Sequence, residues 1–348
     1  MTEPAVITQK MVADALKIGK TTVSLALSNN PRIPLKTRDK VHAMAQRMGY
    51  KPHPFLTDLI RQRWKHQKRS QATIAYLCEA RHMKWGSAYE TFKGVLLQAA
   101  KLGYQVDSFY FNEYRSAASL QKILIARGID ALLINGIKQK NVFLELDWSR
   151  FITVFAHSRG IPPPLHAVVQ NHYGNLIKAW EKAVEYGYTR IGTILLNHGT
   201  RLIDDDLRMA GVVVCQKRLF PNLAAIEPLE MMASSPGDDL KALKQIRLWL
   251  KKNKPDVVIG FHGGYRYYLD DLGYDSLGFI NLHLPQDPKS DACYFQSGIE
   301  FTNELIGIET VNLLDMCRKT NQWGIPSRRI EHAIDSVWRD GSTLPRKE

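Results

Sequence analysis

Fourteen of the chain's 47 lysines and arginines fall within residues 1–70, against four of its 34 acidic residues, so this stretch carries a formal +10 and everything after it only +3. Cations gathered at one end bind a phosphate backbone by releasing its condensed counterions. The same charge suits an anionic membrane surface, or a face that only water touches. Among these cations stand hydroxyl and amide side chains, Thr8, Thr21, Thr22, Ser24, Asn29 and Thr37 beside Lys20 and Lys36. Such groups hydrogen-bond phosphate oxygens and base edges. No comparable set speaks for catalysis: there is no glycine-rich phosphate loop, no G-x-S-x-G turn and no H-E-x-x-H. The eleven histidines are dispersed, and a lone one such as His262 fits a structural role as well as a chemical one. Cys78, Cys215, Cys293 and Cys317 are far apart with no C-x-x-C pair, which points to neither a metal site nor a disulfide framework and implies no cofactor.

The elements that must carry the basic end are short helices. Thr8 is a candidate N-cap for a helix over residues 9–16, in which Met11, Val12, Ala15 and Leu16 recur at helical spacing. Lys17-Ile18-Gly19-Lys20 interrupts it with a glycine, and a second helix begins at once over residues 21–28. Two short helices joined by so tight a turn make a helix-turn-helix. After the loop from Asn29 to Pro34, a third helix is expected from Leu35 to Met48, ended by Gly49. Val12, Ala15, Val23, Leu27, Val41, Met44, Ala45 and Met48 suffice for a small core, which makes them core positions and leaves the polar side chains for contact.

Val12-Ala13, Thr22-Val23-Ser24, Leu27, Asn30-Pro31, Thr37-Arg38, Val41 and Gly49-Tyr50-Lys51-Pro52 together resemble the DNA-binding head of the lactose-repressor (LacI/GalR) family. The resemblance implies that the second helix enters the major groove, with Lys20, Thr21 and Leu25 at the positions that read base edges. Lys20 can donate to guanine acceptors and Leu25 can meet a thymine methyl. Thr8, Thr22, Ser24, Asn29, Lys36 and Thr37 are then placed for phosphates, which position without specifying. Three departures change the operator expected: Gly19 stands where the family has a capping Ser, Leu25 where it has Arg, and Pro34 where it has Ser.

After Pro52 the family continues with a short hinge helix that wedges a leucine into the minor groove. Here the sequence is Pro52-His53-Pro54-Phe55-Leu56-Thr57-Asp58-Leu59, in which Leu59 keeps the wedge position while the family's Asn and Ala-Arg pair are lost. Leu59 is therefore a candidate to kink DNA, or to pack between two hinge helices. The basic run Arg61–Arg69 that follows either prolongs the hinge along the backbone or forms a solvated linker with Trp64 docked on the body.

From Ala72 onward, apolar strands alternate with amphipathic helices, the pattern of a parallel sheet. Strands are expected near residues 73–77, 104–109, 131–134, 152–155, 190–195, 257–261 and 276–280, with helices near 89–102, 116–127, 171–186, 206–219, 238–252 and 301–320. Two such α/β units, doubly wound and periplasmic-binding-protein-like, would form a cleft. Ligands of open α/β sheets lie beyond the carboxyl ends of the strands, which brings Trp85, Asn135, His157, His262 and Tyr265 to that cleft. Arg127-Gly128-Ile129-Asp130, Tyr186-Gly187-Tyr188, Arg208-Met209-Ala210-Gly211 and Lys254-Pro255-Asp256 resemble the same family's sensor domain, and the resemblance makes Arg208 the arginine that holds an effector. At the positions where sugar-sensing relatives carry acidic residues stand Gln170, Gly263 and Ile280, which weakens the case for a sugar.

At 348 residues, with 45% apolar and 23% charged side chains, the chain makes two or three folded units at about 150 residues each, not a disordered polymer. The expected division is an all-α helix-turn-helix head at 5–52, a hinge and basic linker at 53–71, one α/β subdomain from 72–168 and 294–323, and a second from 169–293 and 324–341. There is no secretory signal and no apolar run near the roughly 20 residues that span a bilayer, so a cytoplasmic location is expected. The composite reading is a sequence-specific transcription regulator, a repressor, that binds double-stranded DNA at a palindromic operator as a homodimer and answers to a small-molecule effector, a carbohydrate among the candidates. The alternatives are an effector-independent DNA binder with a degenerate cleft, a solute-binding module, and, least supported, an enzyme.

Overall fold

The computed structural model describes residues 7–27, 30, 32–50, 72–78, 87–135, 145–157, 159, 162–199, 202–232, 239–285, 293 and 295–347. The hinge and basic linker, with Leu59, and the expected contacts Asn29 and Trp85 lie outside them.

In the head, α1 (Gln9–Leu16), α2 (Lys20–Leu27) and α3 (Leu35–Arg47) pack on one another. Thr8 is extended, and its hydroxyl accepts the Met11 amide at 3.4 Å, so it caps α1. The turn that follows is made by Lys17 in the left-handed region (φ 55°), not by Gly19, and the Ile18 amide reaches the Ala13 carbonyl at 3.1 Å. Gly19 instead offers the first carbonyl of α2, to the Val23 amide at 3.1 Å. α3 starts behind Pro34 without a side-chain cap. It ends on Gly49 (φ 72°), whose amide meets the Gln46 carbonyl while that of Tyr50 meets Ala45. Val12, Ala13, Val23, Ala26, Val41 and Ala45 are sealed inside, and Leu16, Leu27, Met44 and Met48 half cover them. Ala15, expected in this core, is exposed. Periodicity fixes Val12 and Leu16 but lets either neighbouring alanine turn inward, and the packing of α3 selects Ala13.

Beyond residue 72 two six-stranded sheets form. The first runs β11 (Glu331–Ile334), β5 (His166–Gln170), β4 (Ile152–Ala156), β3 (Ala131–Asn135), β1 (Thr73–Cys78), β2 (Gln105–Tyr110), all parallel. The second runs β12 (Val337–Arg339), β10 (Ser297–Glu300), β9 (Gly278–Leu284), β8 (Val257–Gly260), β6 (Ile191–Asn197), β7 (Leu229–Met232), with β12 the antiparallel edge. Helices cover both faces of each. The central strands read as unbroken apolar runs because they are buried on both sides. In β3, Leu132 and Ile134 face a core with α5 (Ala117–Ala126), while Ala131 and Leu133 face one with α4 (Ser87–Leu102) and α10 (Asn303–Lys319). In the second sheet the two layers are α6 (His172–Glu185) with α7 (Ile203–Leu219), and α8 (Asp239–Asn253) with α9 (Gly264–Asp271).

α4 and α10 touch backbone to backbone, because a Cβ on Gly94 would overlap the Glu304 carbonyl and one on Gly307 that of Thr91. The chain leaves the first sheet after Gln170, returns after Glu300 and crosses again after Ile334. Three expected boundaries therefore move, the one at 168/169 by two residues because His166–Gln170 completes β5 of the first sheet. The return placed at Tyr294 comes later because Ser297–Glu300 pairs with β9, and the crossing placed at 323/324 waits until Glu331–Ile334 has paired with β5. Both strands are four residues long and partly polar, so neither gives an apolar run to read.

Candidate nucleic-acid interface and cleft cavity

The head presents α2 edge-on to solvent. Val23 and Ala26 point into the core, and this rotation leaves Lys20, Thr21 and Ser24 exposed with Leu25 and Thr22 half-exposed. Lys36 is exposed and Thr37 half-exposed on the first turn of α3, and Thr8 caps α1. Three helix starts thus offer hydroxyls, ammonium groups and unspent backbone amides, the donors that hold phosphates. α2 exposes Lys20, Thr21 and Ser24 within its first five residues. A row one helix wide fits the major groove of about 12 Å.

Between the two sheets lies a cavity of 310 Å³. Its lining on the first subdomain includes Ser87 and Ala88 of α4, Asn135 at the end of β3, His157 after β4, Arg159, Gln170 at the end of β5 and Asn303 at the start of α10. The second subdomain contributes His172, His198, Leu202, Asp204, Arg208, Phe261 and His283. Strand ends and helix starts dominate the lining, as the carboxyl-end rule for parallel sheets requires.

The charges in this wall are paired. Arg159 donates to Asp204 at 2.7 Å and Glu331 at 2.8 Å. Arg208 donates to Asp205 at 2.7 Å and to the ring of His172 at 3.1 Å, and its guanidinium lies 4.8 Å from the centre of the Phe261 ring. His198 Nδ1 is 2.8 Å from the second oxygen of Asp205. Nη2 of Arg208 lies 3.1 and 3.2 Å from the two ring nitrogens of His172, so it meets the ring as a whole. Burial, then the positive charges of Arg208 and Arg159, hold His172 well below its usual range. Burial alone pushes His157 down to about 4. The same burial lifts Asp204 above the usual carboxylate range, against the pull of Arg159 and Arg208.

His157 itself stands at φ 57°, a left-handed backbone that a non-glycine residue adopts at a cost. Three lining residues hold buried polar atoms that find no partner among the described residues: Asn135 Oδ1, Asn303 Oδ1 and Gln170 Nε2. Each amide is fixed by its other atom, Asn135 on Tyr76 at 2.6 Å, Asn303 on Glu90 at 2.9 Å and Gln170 on Ser336 at 3.1 Å. Among the described residues no group of three or more His, Cys, Asp or Glu is arranged to hold a metal ion, and no helix is long and apolar enough to cross a membrane.

Residues 8–53 match the family described as bacterial regulatory proteins, lacI family. The family match covers the three-helix head and not the body. No curated protein matches the sequence significantly. In fold, the chain is similar to a transcriptional regulator CelR solved with cellobiose (17% identity, 97% of this chain and 99% of that one covered, TM-score 0.60). It is likewise similar to the lac repressor dimer bound to operator and the anti-inducer ONPF (16%, 98% and 100%, 0.59). The regulator CcpA of Lactococcus lactis resembles the body (13%, 79% and 100%, 0.60). These identities are low, and what the three likenesses share with the chain is the fold.

In the body, the cavity gathers three of the residues expected at the cleft, Arg208, Asn135 and His157. Two others belong elsewhere. Tyr265 is buried in the core between α8, α9 and the second sheet, and the His262 ring stacks on it at 4.1 Å while accepting the Gly264 amide. The segment after β8 was expected at the cleft because it follows the strand's carboxyl end. It turns at once into the short helix α9, which rotates Tyr265 inward. Of the three altered acidic positions, Gln170 lines the cavity, Ile280 is core, and Gly263 is closed in by Cys293 and Gln296. Sequence reasoning missed Arg159, His172, Asp204, Phe261, His283 and Asn303 as wall residues. A usable signal existed for two of them, since Asn303 and His172 open helices that directly follow strand ends.

Proposed function

We propose that the chain is a transcription regulator of the repressor type, and not an enzyme, that binds a palindromic DNA operator as a homodimer through its LacI-family heads. The observation that carries this is the rotation of α2, which buries Val23 and Ala26 and so turns Lys20, Thr21 and Ser24 to solvent. Lys20, Thr21 and Leu25 read base edges in this proposal. Thr8, Thr22, Ser24, Asn29, Lys36 and Thr37 hold phosphates, and Leu59 enters the minor groove. One such head reads only a half-site, and two heads related by a two-fold axis read a palindrome. Selection of bound fragments from genomic DNA, repeated with Lys20→Ala, tests the assignment. A palindromic consensus that the variant fails to recover supports it, and fragments without shared sequence refute it.

The cleft cavity is the proposed effector site, with Arg208, Asn135 and His157 as its polar contacts and Trp85 beside them. At 310 Å³ it stands at the low end of ligand pockets, which start near 300 Å³, and suits a small molecule. Two amide oxygens and one amide nitrogen in its wall await partners, and a ligand with hydroxyl groups supplies both donors and acceptors. One structural likeness was solved with cellobiose, which supports a carbohydrate. A second reading, DNA binding without an effector, is favoured by the mutual pairing of Arg159, Arg208, Asp204, Asp205 and Glu331. A thermal-shift series against neutral sugars separates the two, because a ligand that binds only the folded state raises Tm.

A further inference from the structure

We propose that Arg159 and Asp204 form a latch that holds the two subdomains closed over the cavity. The inference concerns the contact between the subdomains, so it stands whether or not the effector proves to be a carbohydrate.

Arg159 follows β4 and belongs to the first subdomain. Asp204 sits in the first turn of α7, in the second. Their side chains meet at 2.7 Å across the cavity wall with only 7% and 19% of their surface exposed. Neither end is a swinging surface side chain. Arg159 is anchored on its own subdomain by Glu331 at 2.8 Å and by the Gln170 carbonyl at 3.4 Å, and Glu331 is shared with Arg329. Asp204 is fixed to the backbone of a 17-residue helix near its positive end, a favourable place for a carboxylate. A bond between two pre-positioned groups forfeits little side-chain entropy, unlike an ordinary surface ion pair.

The groups facing Asp204 make the contact decisive. His172 Nε2 is 3.7 Å from its second oxygen, but His172 is neutral, and Arg208 is committed to Asp205. Arg159 is thus the cation in direct contact with a carboxylate that burial already disfavours. When the cleft opens, Arg159 keeps Glu331 while Asp204 loses its partner and must be rehydrated. The pair accordingly exists in the closed form alone, and its free energy biases the equilibrium between closed and open subdomains. Other polar links among the described residues, such as Asn171 with Asp335 and Ser336 with Asn175, Lys178 and Gln170, lie where the chain crosses from sheet to sheet and survive a hinge motion. A ligand then either fits behind the intact latch or takes the place of Asp204 on Arg159.

Hydrogen exchange of the full chain without ligand tests this. Asp204→Asn keeps the shape and leaves Arg159 on Glu331, and Arg159→Gln removes the other half. Each is expected to speed exchange in the first turn of α7 (residues 203–208) at least tenfold while β3 and β8 keep their wild-type rates. The double variant is expected to match the single ones, because they remove one shared contact. Rates in α7 within twofold of wild type in Asp204→Asn, or a uniform acceleration that includes β3 and β8, overturn the latch. So does a double variant whose acceleration is the product of the two single ones. Should Arg159→Gln fail to fold, Asp204→Asn alone decides the question.

Discussion

His157 Nε2 and Thr91 Oγ1 lie 2.8 Å apart, and the ring is the donor, because Thr91 spends its single hydroxyl hydrogen on the Ser87 carbonyl at 2.9 Å. The contact ties the floor of the cavity to the first turns of α4 and fixes the tautomer of a ring that must stay neutral. Burial holds His157 at about 4 in the folded protein, against an ordinary value of 6.5. A base whose folded value is depressed gives its full stability above the unfolded value, and loses it as the unfolded chain takes up the proton first. Stability is therefore expected to fall between about pH 6.5 and 4, by about 3 kcal/mol at most from this residue. His172 and His166 are shifted the same way and add to the fall. Urea unfolding of wild type and His157→Asn at pH 7 and pH 5 isolates the share of His157, since asparagine tolerates the left-handed backbone and does not titrate. An equal loss in both proteins would show that His157 is not the source.

Lys20→Ala is expected to weaken binding to the selected operator about 10- to 100-fold at fixed salt, the loss of one good base contact. Its side chain is exposed and outside the head core, so circular dichroism should not change. Lys36→Ala, on the first turn of α3, is expected to weaken operator and random duplex alike and to lower the slope of affinity against salt by about one. Fluorescence anisotropy at two salt concentrations on both duplexes distinguishes the pair. A uniform loss in Lys20→Ala would move that residue from the base edges to the phosphates.

The head and the central strands were legible because each is governed by one short-range rule. Thr8 caps, Gly49 stops, and Val23 is sealed in the head core with Leu27 half covering it; β3 and β4 are apolar throughout because helices cover both faces. The cavity was less legible because its wall is a product of register and helix rotation. Arg208 was found through the family resemblance, yet its neighbours Asp205, His172 and Phe261 converge from three separate elements. Tyr265 shows the reverse error. Position after a strand end suggested a contact, and one turn of α9 put the ring in the core. Short strands such as Ser297–Glu300 and Glu331–Ile334 owe their place to pairing partners far away in sequence, so no local pattern announces them.

Gly94 and Gly307 let α4 and α10 approach until a methyl group on either would strike a carbonyl of the other helix. Backbone cannot yield as a flexible side chain can, so both helices would have to separate over their whole contact. Gly307→Ala is expected to destabilise the body by about 1–3 kcal/mol or more, the range for overpacked cores. Gly103→Ala is a useful companion: it has open space around its Cβ position and a φ of 79°, so its cost is backbone strain alone, about 1–2 kcal/mol. Chemical denaturation reads both. A Gly307→Ala protein as stable as wild type would mean that the two helices pack less closely than the structure has them.

Two left-handed residues of the head, Lys17 and Gly49, should respond with opposite signs. Gly49 ends α3 at φ 72° with nothing within 4 Å of a Cβ, and Lys17 ends α1 at φ 55° with a side chain in place. Adding a Cβ at 49 imposes the left-handed penalty of about 1–2 kcal/mol. Removing one at 17 relieves that penalty, less the roughly 0.5–1 kcal/mol that a more flexible unfolded chain costs. Gly49→Ala is thus expected to speed hydrogen exchange in residues 9–47 several-fold, and Lys17→Gly to slow it by a smaller factor. Because Lys17 and Gly49 lie outside the row of α2 side chains proposed to read bases, both variants should keep the wild-type choice of operator when folded. If Lys17→Gly exchanges faster than wild type, the turn between α1 and α2 depends on the lysine side chain more than on the backbone it adopts.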